Sequence, residues 1–227
     1  MQTHALNEIS QMLHNAASAA DRPPPRLLAV SKKQPAAAIA ALAALGPRAF
    51  GENYVQEAAA KQAELGAMEL PRLEWHLIGH LQSNKAREAA ERFDWIQSVD
   101  RGKLVGALAR HRDPARGPLN VLVQVNIDDE ASKHGCRPDE VETLAVAIAA
   151  EPSLRLRGLM VIPAPQPEPG QVRPAFRLSR ELFERLQAAY PQVDTLSMGM
   201  SGDAAVAIEE GATMVRIGTA LFGARPS

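Results

Sequence analysis

The residues best suited to chemistry lie near opposite ends of the chain. Lys32 ends the first strand-like run, which begins at Leu27, and a glycine-flanked segment runs from Met214 to Gly223. An apolar wall disfavours the charged form of a lysine and lowers its pKa, so the amine becomes nucleophilic towards an aldehyde. Together the two features suggest an amine that binds a carbonyl and faces a phosphate cradle. Pyridoxal phosphate requires that combination.

Several lysines could supply the amine. Lys32 and Lys33 are adjacent, and because side chains alternate along a strand, only one of them points inward with its neighbours. The alternation alone does not say which of the two points inward. The alternative is that both are solvated lysines at the rim of the barrel. Lys85 and Lys133 also follow predicted strands. Each could hold an anion or be an ordinary surface charge.

The loops after the seventh and eighth predicted strands suit a phosphate, because barrels often hold one there through backbone N–H groups and a helix N-terminus. Ser201 precedes a predicted helix and either caps it or gives its hydroxyl to a phosphate. Gly218 lets the backbone approach closely beside Thr219. Capping and turn formation would explain either loop alone. The pair at the last two strands is more specific for phosphate.

Arg216 stands between Val215 and Ile217 in a run that should be buried. An unpaired guanidinium there would be costly, so Arg216 needs an acceptor. The acceptor is either a carboxylate of the fold or a ligand atom such as a pyridine nitrogen. The sequence leaves both alternatives open.

The histidines and Ser197 give no second site. His76 and His80 are four residues apart, but they fall where a strand becomes a loop, and no cysteine or carboxylate lies near them at ligand spacing. We therefore predict no metal site. Ser197 with His76 has no third member to suggest a nucleophilic triad.

Strand-like runs rich in Val, Ile and Leu alternate with Ala-rich helical stretches, which is typical of βα units in a parallel sheet. Eight strands are predicted, near residues 26–32, 48–51, 73–78, 95–99, 119–126, 155–160, 193–198 and 213–218. The clearest helices span residues 35–45, 53–65, 84–92, 138–150 and 174–189, and an extra N-terminal helix ends at about Ala20. Eight such units predict an α/β fold of the (β/α)8 TIM-barrel type, as one cofactor-binding domain over residues 1–227. An open doubly wound sheet is disfavoured because no Gly-x-Gly-x-x-Gly follows the first strand.

Composition excludes several classes of partner. A formal net charge of -1 and a pI near 6.6 offer no basic stripe for nucleic acid. The single cysteine, Cys136, cannot form an internal disulfide, and no apolar run approaches membrane-spanning length. The first residues lack the basic flank and apolar stretch of a signal peptide. These features predict a cytoplasmic protein that binds neither nucleic acid nor membrane.

Six groups of residues match one known family in order and nearly end to end. They are Leu28 to Lys32, Phe50 to Glu57, Glu74 to Gly79 with Leu81 to Lys85, Arg157 to Met160, Ser197 to Ser201, and Val215 to Thr219. In these groups the chain closely resembles the pyridoxal phosphate homeostasis protein family, also called the YggS or proline synthase co-transcribed protein family. The resemblance implies the barrel of the N-terminal domain of alanine racemase, without the second domain of that enzyme.

The resemblance also implies roles for single residues. Lys32 would hold pyridoxal phosphate as a Schiff base, Arg216 would meet the pyridine nitrogen and Asn53 would lie beside the ring. The phosphate would be served by Ser201, Gly218 and Thr219. The chain departs from the family where relatives often have Thr and Lys after the cofactor lysine, since it has Lys33 and Gln34. An anion contact made there in relatives therefore does not carry over.

The function implied is intracellular homeostasis of this vitamin B6 cofactor, by buffering or delivery, without strong catalysis. Acceptors would be apoenzymes that depend on pyridoxal phosphate, and the protein would be a monomer. The alternative is an amino-acid racemase of the alanine racemase type, which needs an acid or base on each face of the cofactor. In alanine racemase the second one is a tyrosine from the other domain, but here the only tyrosines are Tyr54 and Tyr190. A Schiff-base aldolase is disfavoured because no carboxylate and second lysine are convincingly placed.

Overall fold

The computed structural model describes residues 2–128 and 134–223. Within them, eight parallel strands close into a barrel in which each strand pairs with the next and the last pairs with the first. The strands are β1 Arg26–Val30, β2 Ala49–Glu52, β3 Glu74–Leu77, β4 Trp95–Val99, β5 Leu119–Val125, β6 Leu154–Val161, β7 Thr195–Ser197 and β8 Met214–Ile217. All eight lie where the sequence predicts them. The (β/α)8 fold is therefore confirmed.

Helices precede the barrel and fill the intervals between its strands. They are α1 Gln2–Ala19, α2 Ala36–Ala44, α3 Val55–Gly66, α4 Ala86–Arg92, α5 Gly102–His111, α6 Val141–Ala149, α7 Arg173–Ala189, α8 Ala204–Glu209 and α9 Thr219–Phe222. Short 3₁₀ turns at Ser83–Lys85 and Pro138–Glu140 lead into α4 and α6. The extra N-terminal helix and the five clearest predicted helices are thus all present.

The N-terminal helix supports one side of the barrel. It packs against α8 and α9, the helices that follow β7 and β8, and against α2. Its buried residues Ile9, Leu13 and Ala17 recur every four positions and so share one helical face. This helix therefore supports, from outside the barrel, the helices that follow the two predicted phosphate loops.

The inside of the barrel is less apolar than is usual for this fold. Small apolar clusters lie there, one of Leu28, Ala49 and Met214 and one of Trp95, Leu122 and Met160. TIM barrels commonly fill this space with layers of branched apolar side chains. Here the inner strand positions also include polar residues that are fully or almost fully buried, namely His76, Gln97, Ser197 and Arg216.

No helix among the described residues is both long and apolar enough to cross a membrane. Of the two outlying lysine candidates, Lys133 falls outside the described residues. Lys85 is half-buried at the end of a 3₁₀ turn, where its amine lies 3.8 Å from a carboxylate oxygen of Glu88. Lys85 therefore has a local ion-pair partner.

Candidate functional site

A cavity of about 460 Å³ lies at the carboxyl-terminal ends of the strands. Its volume falls within the ~300–1,000 Å³ that small-molecule sites usually have. All the residues predicted to bind a cofactor line it, namely Lys32, Asn53, Ser201, Arg216, Gly218 and Thr219. The barrel therefore brings into one cavity residues from the two ends of the sequence.

Lys32 lies in a tight turn directly after β1. The strand ends at Val30, two residues earlier than predicted, and the backbone N–H of Gln34 donates to the Ser31 carbonyl at 3.0 Å. Val30 and Lys32 both line the cavity, so the alternation of the strand continues through the turn. Lys33 is exposed and takes a left-handed conformation with φ of 61°. The structure thus places Lys32, and not Lys33, in the cavity.

Beneath this turn lies an ionic cluster formed by Ser31, Glu52, Glu57 and Lys61. The Lys61 amine donates to the Ser31 carbonyl at 2.7 Å and to carboxylate oxygens of Glu52 at 2.7 Å and Glu57 at 2.8 Å. The Ser31 hydroxyl also donates to Glu52, and the Lys33 backbone N–H donates to Glu57. Burial raises the pKa of the Glu52 carboxyl, against the hydrogen bonds from Lys61 and Ser31, which lower it. The cluster holds the backbone on both sides of Lys32.

The ionic cluster was not predicted from the sequence, although α3 carries one signal of it. Val55, Ala58, Lys61 and Leu65 are the buried residues of α3 and share one face at helical spacing. A lysine on an otherwise apolar helical face needs a buried acceptor. The place of Lys61 on this face therefore indicates a buried lysine that pairs with an acceptor of the fold.

Arg216 is buried beneath the cavity with two protein acceptors. Its guanidinium donates to the Ser197 hydroxyl at 2.8 Å and to the Val161 carbonyl at 2.8 Å. Among the described residues no carboxylate lies within ion-pair distance, so the carboxylate partner considered for Arg216 is not found. Burial lowers the pKa of Arg216 to about 10, and Asp203 raises it slightly. The guanidinium remains charged at neutral pH and borders the cavity.

The two predicted phosphate loops lie side by side. The Arg216 backbone N–H donates to the Gly199 carbonyl at 3.0 Å and so joins β8 to the loop after β7. Asp203, and not Ser201, is the residue at the N-terminus of α8, and it accepts from the Met200 N–H at 2.6 Å. Ser201 is exposed and its hydroxyl has no hydrogen-bond partner within residues 2–128 and 134–223. The Ser201 hydroxyl therefore does not cap α8.

Gly218 lies where the last loop meets β1. A Cβ at this position would lie 3.2 Å from the Val30 carbonyl oxygen and 3.4 Å from the Val30 Cβ. The first contact is tighter than ordinary van der Waals packing, and the second is at the lower limit of the ordinary range. The glycine therefore permits a close approach of the loop to β1, directly beside the turn that carries Lys32.

His76 and Ser197, which lack a triad partner in the sequence, are joined through Gln97. The Ser197 hydroxyl donates to the Gln97 side-chain oxygen at 2.7 Å, and the Gln97 amide nitrogen lies 2.9 Å from His76 Nδ1. These residues come from three different strands, so sequence spacing gave no sign of the contact.

His80 has neighbours that the sequence analysis did not find. Its ring stacks on His134 with centroids 3.8 Å apart, and Asp100 lies 3.7 Å from its Nδ1. Asp100 is thus a carboxylate beside His80 that sequence spacing does not reveal. Ligand atoms of His80, Asp100 and His134 lie within 4.8 Å of one another, and the two imidazole rings are stacked with an interplanar angle of 16°. Arg101 also pairs with Asp100 at 2.5 Å. We assign no metal to this group.

Comparison with known proteins first gives the class of the barrel. Residues 6–226 match the family described as "Alanine racemase, N-terminal domain". An alanine racemase of Clostridium difficile superposes with a TM-score of 0.73 over 100% of this chain and 57% of that one. At 16% identity this likeness concerns the fold alone. The fold is that of the alanine racemase N-terminal domain.

Curated relatives define the family more closely. The chain is 53% identical to a "Pyridoxal phosphate homeostasis protein" of Pseudomonas aeruginosa over 96% of its own length and 93% of that protein. It is 49% identical to the protein of the same name from Escherichia coli K12, over 98% and 96% of the two chains. The chain therefore belongs to the pyridoxal phosphate homeostasis protein family.

Solved structures agree with this assignment. PipY of Synechococcus elongatus, without pyridoxal phosphate, superposes with a TM-score of 0.87 at 40% identity, over 98% of this chain and 100% of that one. The same protein with pyridoxal phosphate bound superposes with a TM-score of 0.84 at 39% identity.

Proposed function

We propose that this protein binds pyridoxal 5'-phosphate in the cavity above the barrel and acts in pyridoxal phosphate homeostasis, by buffering or delivering the cofactor. The observation that carries the proposal is the meeting in one cavity of Lys32, buried Arg216 and the two loops at Ser201 and Gly218. Membership of the pyridoxal phosphate homeostasis protein family and the bound PipY structure support it.

The residues present fit this cofactor. Gln124 lines the cavity, and its Oε1 is buried without a hydrogen-bond partner in the described part of the chain, so this side chain has an unused acceptor. Arg216 offers a buried charge that no protein carboxylate within the described ranges neutralises. A ligand with an acceptor nitrogen or an anionic group would satisfy Arg216, and a donor on the same ligand would satisfy the Gln124 oxygen.

We assign the roles as follows. When bound, pyridoxal phosphate supplies an aldehyde that an amine can capture reversibly, and Lys32 is the amine in the cavity. Arg216 would donate to the pyridine nitrogen, and Asn53 would lie beside the ring. The phosphate would be held by the Ser201 hydroxyl, by Thr219 and by the backbone at Gly218, since the first N–H groups of a helix have no acceptor within the helix.

Racemisation is the second candidate activity, and the placement of the tyrosines argues against it. Neither Tyr54 nor Tyr190 lines the cavity. Tyr54 is exposed at the start of α3, and Tyr190 is at the end of α7. An arginine at the pyridine nitrogen also leaves the ring a poorer electron sink for carbanions. A second positioned base is typically worth ~10²–10⁴-fold, so we expect negligible racemisation of L- or D-alanine.

The proposal includes the setting in which the protein acts. We expect one cofactor-binding domain over residues 1–227 that is monomeric and cytoplasmic and that passes the cofactor to apoenzymes needing it. The buried thiol of Cys136, whose pKa burial raises to about 12, suits an environment where cysteines stay reduced.

Borohydride reduction tests the proposal. The purified protein should absorb in the visible range, and reduction should fix the cofactor on Lys32, as mass spectrometry of the digested protein would show. Lys32→Ala should abolish the adduct, while Lys33→Ala is the matched control and should keep it. A colourless protein that takes up no pyridoxal phosphate, or an adduct chiefly on Lys33 or Lys133, would contradict the proposal.

Titration of the apoprotein with pyridoxal and with pyridoxal phosphate tests the phosphate site. We expect far tighter binding of the phosphate ester. Ser201→Ala removes one donor to a charged acceptor and should cost roughly 1.5–3 kcal/mol of binding free energy. Gly218→Val should cost more, because its side chain would press against Val30. Equal affinities for the two ligands would place the phosphate elsewhere.

A further inference from the structure

A continuous series of hydrogen bonds crosses the inside of the barrel from Arg216 to the opposite end. We call its members, Arg216, Ser197, Gln97, His76 and Glu74, the lumen network. The three links between Arg216 and His76 measure 2.8, 2.7 and 2.9 Å, and His76 Nε2 makes a short contact with a Glu74 carboxylate oxygen. β7 and β4 are not neighbours, so the link between Ser197 and Gln97 spans the lumen.

The direction of donation is the same at every link. Glu74 can only accept when ionised, so His76 must donate from Nε2, and a neutral ring then accepts at Nδ1. The Gln97 amide N–H fills that acceptor, which leaves the Gln97 oxygen to accept from the Ser197 hydroxyl. The Ser197 oxygen in turn accepts from Arg216. Arg216 is thus the first donor and Glu74 the last acceptor.

A charged His76 would break this order. With both ring nitrogens donating, Gln97 would turn its oxygen to His76 and its amide to Ser197. The Ser197 oxygen would then face two donors, and its own proton would lose its acceptor. The surroundings favour the neutral ring, since complete burial lowers the pKa of His76.

The far end of the network is held as an anion. Burial raises the pKa of the Glu74 carboxyl, but the hydrogen bond from His76 and the ion pair with Arg26, whose guanidinium donates at 2.8 Å, lower it to about 2. The only charged members of the lumen network are therefore its two ends, Arg216 and Glu74. Hydrogen bonds in such a series polarise one another, so the carboxylate makes His76, Gln97 and Ser197 stronger acceptors and tightens the hold of Ser197 on Arg216.

We propose that Glu74, His76, Gln97 and Ser197 are positioning residues that fix the Arg216 guanidinium from below and set how strongly it donates to a ligand in the cavity. This inference rests on the proposed contact between Arg216 and the pyridine nitrogen. It assigns a role in the site to Glu74, which is at the amino-terminal end of β3 and does not line the cavity.

Glu74→Gln is the sharpest test because the variant acts from outside the cavity. We expect the visible absorption band of bound pyridoxal phosphate to move and its affinity to fall by about threefold to tenfold. Asp194→Asn is the matched control: Asp194 is also ion-paired to an arginine, Arg157, near the same end of the barrel, but it has no place in the lumen network. Asp194→Asn should leave the band where it is.

Three outcomes are distinguishable. A band that moves in Glu74→Gln and not in Asp194→Asn supports the inference. Equal behaviour of the two variants overturns it. Failure of the wild-type protein to form the borohydride-fixed Lys32 adduct would instead refute the proposed function.

A measurement on the wild-type protein tests the lumen network even if a variant fails to fold. Nitrogen-15 NMR of the apoprotein should show His76 neutral, with its proton on Nε2 and with Nδ1 unprotonated. Ser197→Ala should perturb these His76 signals through Gln97, whereas Ser98→Ala, another fully buried serine whose hydroxyl has no partner in the described residues, should not. A charged His76, or a neutral His76 with its proton on Nδ1, would contradict the proposed direction of donation in the lumen network.

Discussion

Two buried polar groups lie under the cavity, and they are built in opposite ways. The ionic cluster under Lys32 packs an ammonium directly between two carboxylates, with Ser31 as a further partner. The lumen network behind Arg216 keeps its charges at the two ends and places three neutral groups between them. Removing one partner of a buried ion pair leaves an uncompensated buried charge. Removing a neutral partner leaves only an unpaired polar group, which costs less free energy. The first group should therefore govern stability, and the second the electronic character of the site.

Lys61→Met should have the largest effect on stability. It leaves the fully buried Glu52 carboxyl without its cation, for which a loss of about 3–5 kcal/mol in unfolding free energy is expected. Urea unfolding followed by circular dichroism would measure it. The exposed Lys103→Met is the control and should stay within about 0.5 kcal/mol of wild type. A loss below about 1 kcal/mol in Lys61→Met would contradict the interpretation that the ionic cluster governs stability.

Gln97→Leu should come second. It leaves His76 Nδ1 and the Ser197 hydroxyl without their partner, which should cost about 1–3 kcal/mol of unfolding free energy. The same urea experiment tests this value. Combined with Lys61→Met, the two losses should add within about 0.5 kcal/mol because the two groups share no residue. A strong coupling between them would mean that they are one network.

A smaller effect, which depends on pH, is expected for Glu74→Gln. The folded-state pKa of Glu74 is lowered to about 2, so its contribution to stability is present above the pKa of the unfolded chain and is lost as the pH falls towards 2. The difference in unfolding free energy between wild type and Glu74→Gln should therefore shrink between pH 5 and pH 2. Acid titrations at fixed urea concentration would reveal it. A difference that grows on acidification would be the wrong sign.

The smallest effect is expected for Lys33→Ala. The Lys33 side chain is exposed, and the turn is held through its backbone N–H, which any residue but proline retains. Stability should change by no more than about 0.5 kcal/mol. If thermal unfolding showed a large loss, the turn would depend on the Lys33 side chain and not on the ionic cluster beneath it.

Sequence reasoning reached the fold because the signals were local. Alternation of Val-, Ile- and Leu-rich runs with helical stretches predicted the number and place of the strands, with boundary errors such as the end of β1 at Val30 instead of Lys32. It also selected residues that the fold does bring into one cavity, since Gly218, Ser201 and Lys32 follow strands and the carboxyl ends of parallel strands meet at one face.

The same reasoning could not pair residues across the barrel. Nothing in the sequence links Gln97 to His76 or Ser197, which lie on other strands and have no third group at triad spacing. Likewise, Asp100 and His134 reach His80 only after the chain has closed. These contacts join strands or loops that are far apart in sequence, and spacing carries no information about them.

What the sequence by itself determined is therefore the eight-unit barrel, the candidate lysine and arginine, and the loops beside them, because each depends on periodicity or on residue type at a strand end. The tertiary structure alone decided which of Lys32 and Lys33 faces the cavity and which acceptors Arg216 receives. It also decided that a lysine on α3 supports the turn. The physical reason is that a buried charge must be satisfied by whatever group closure of the barrel brings within about 3 Å, and that group can come from any strand.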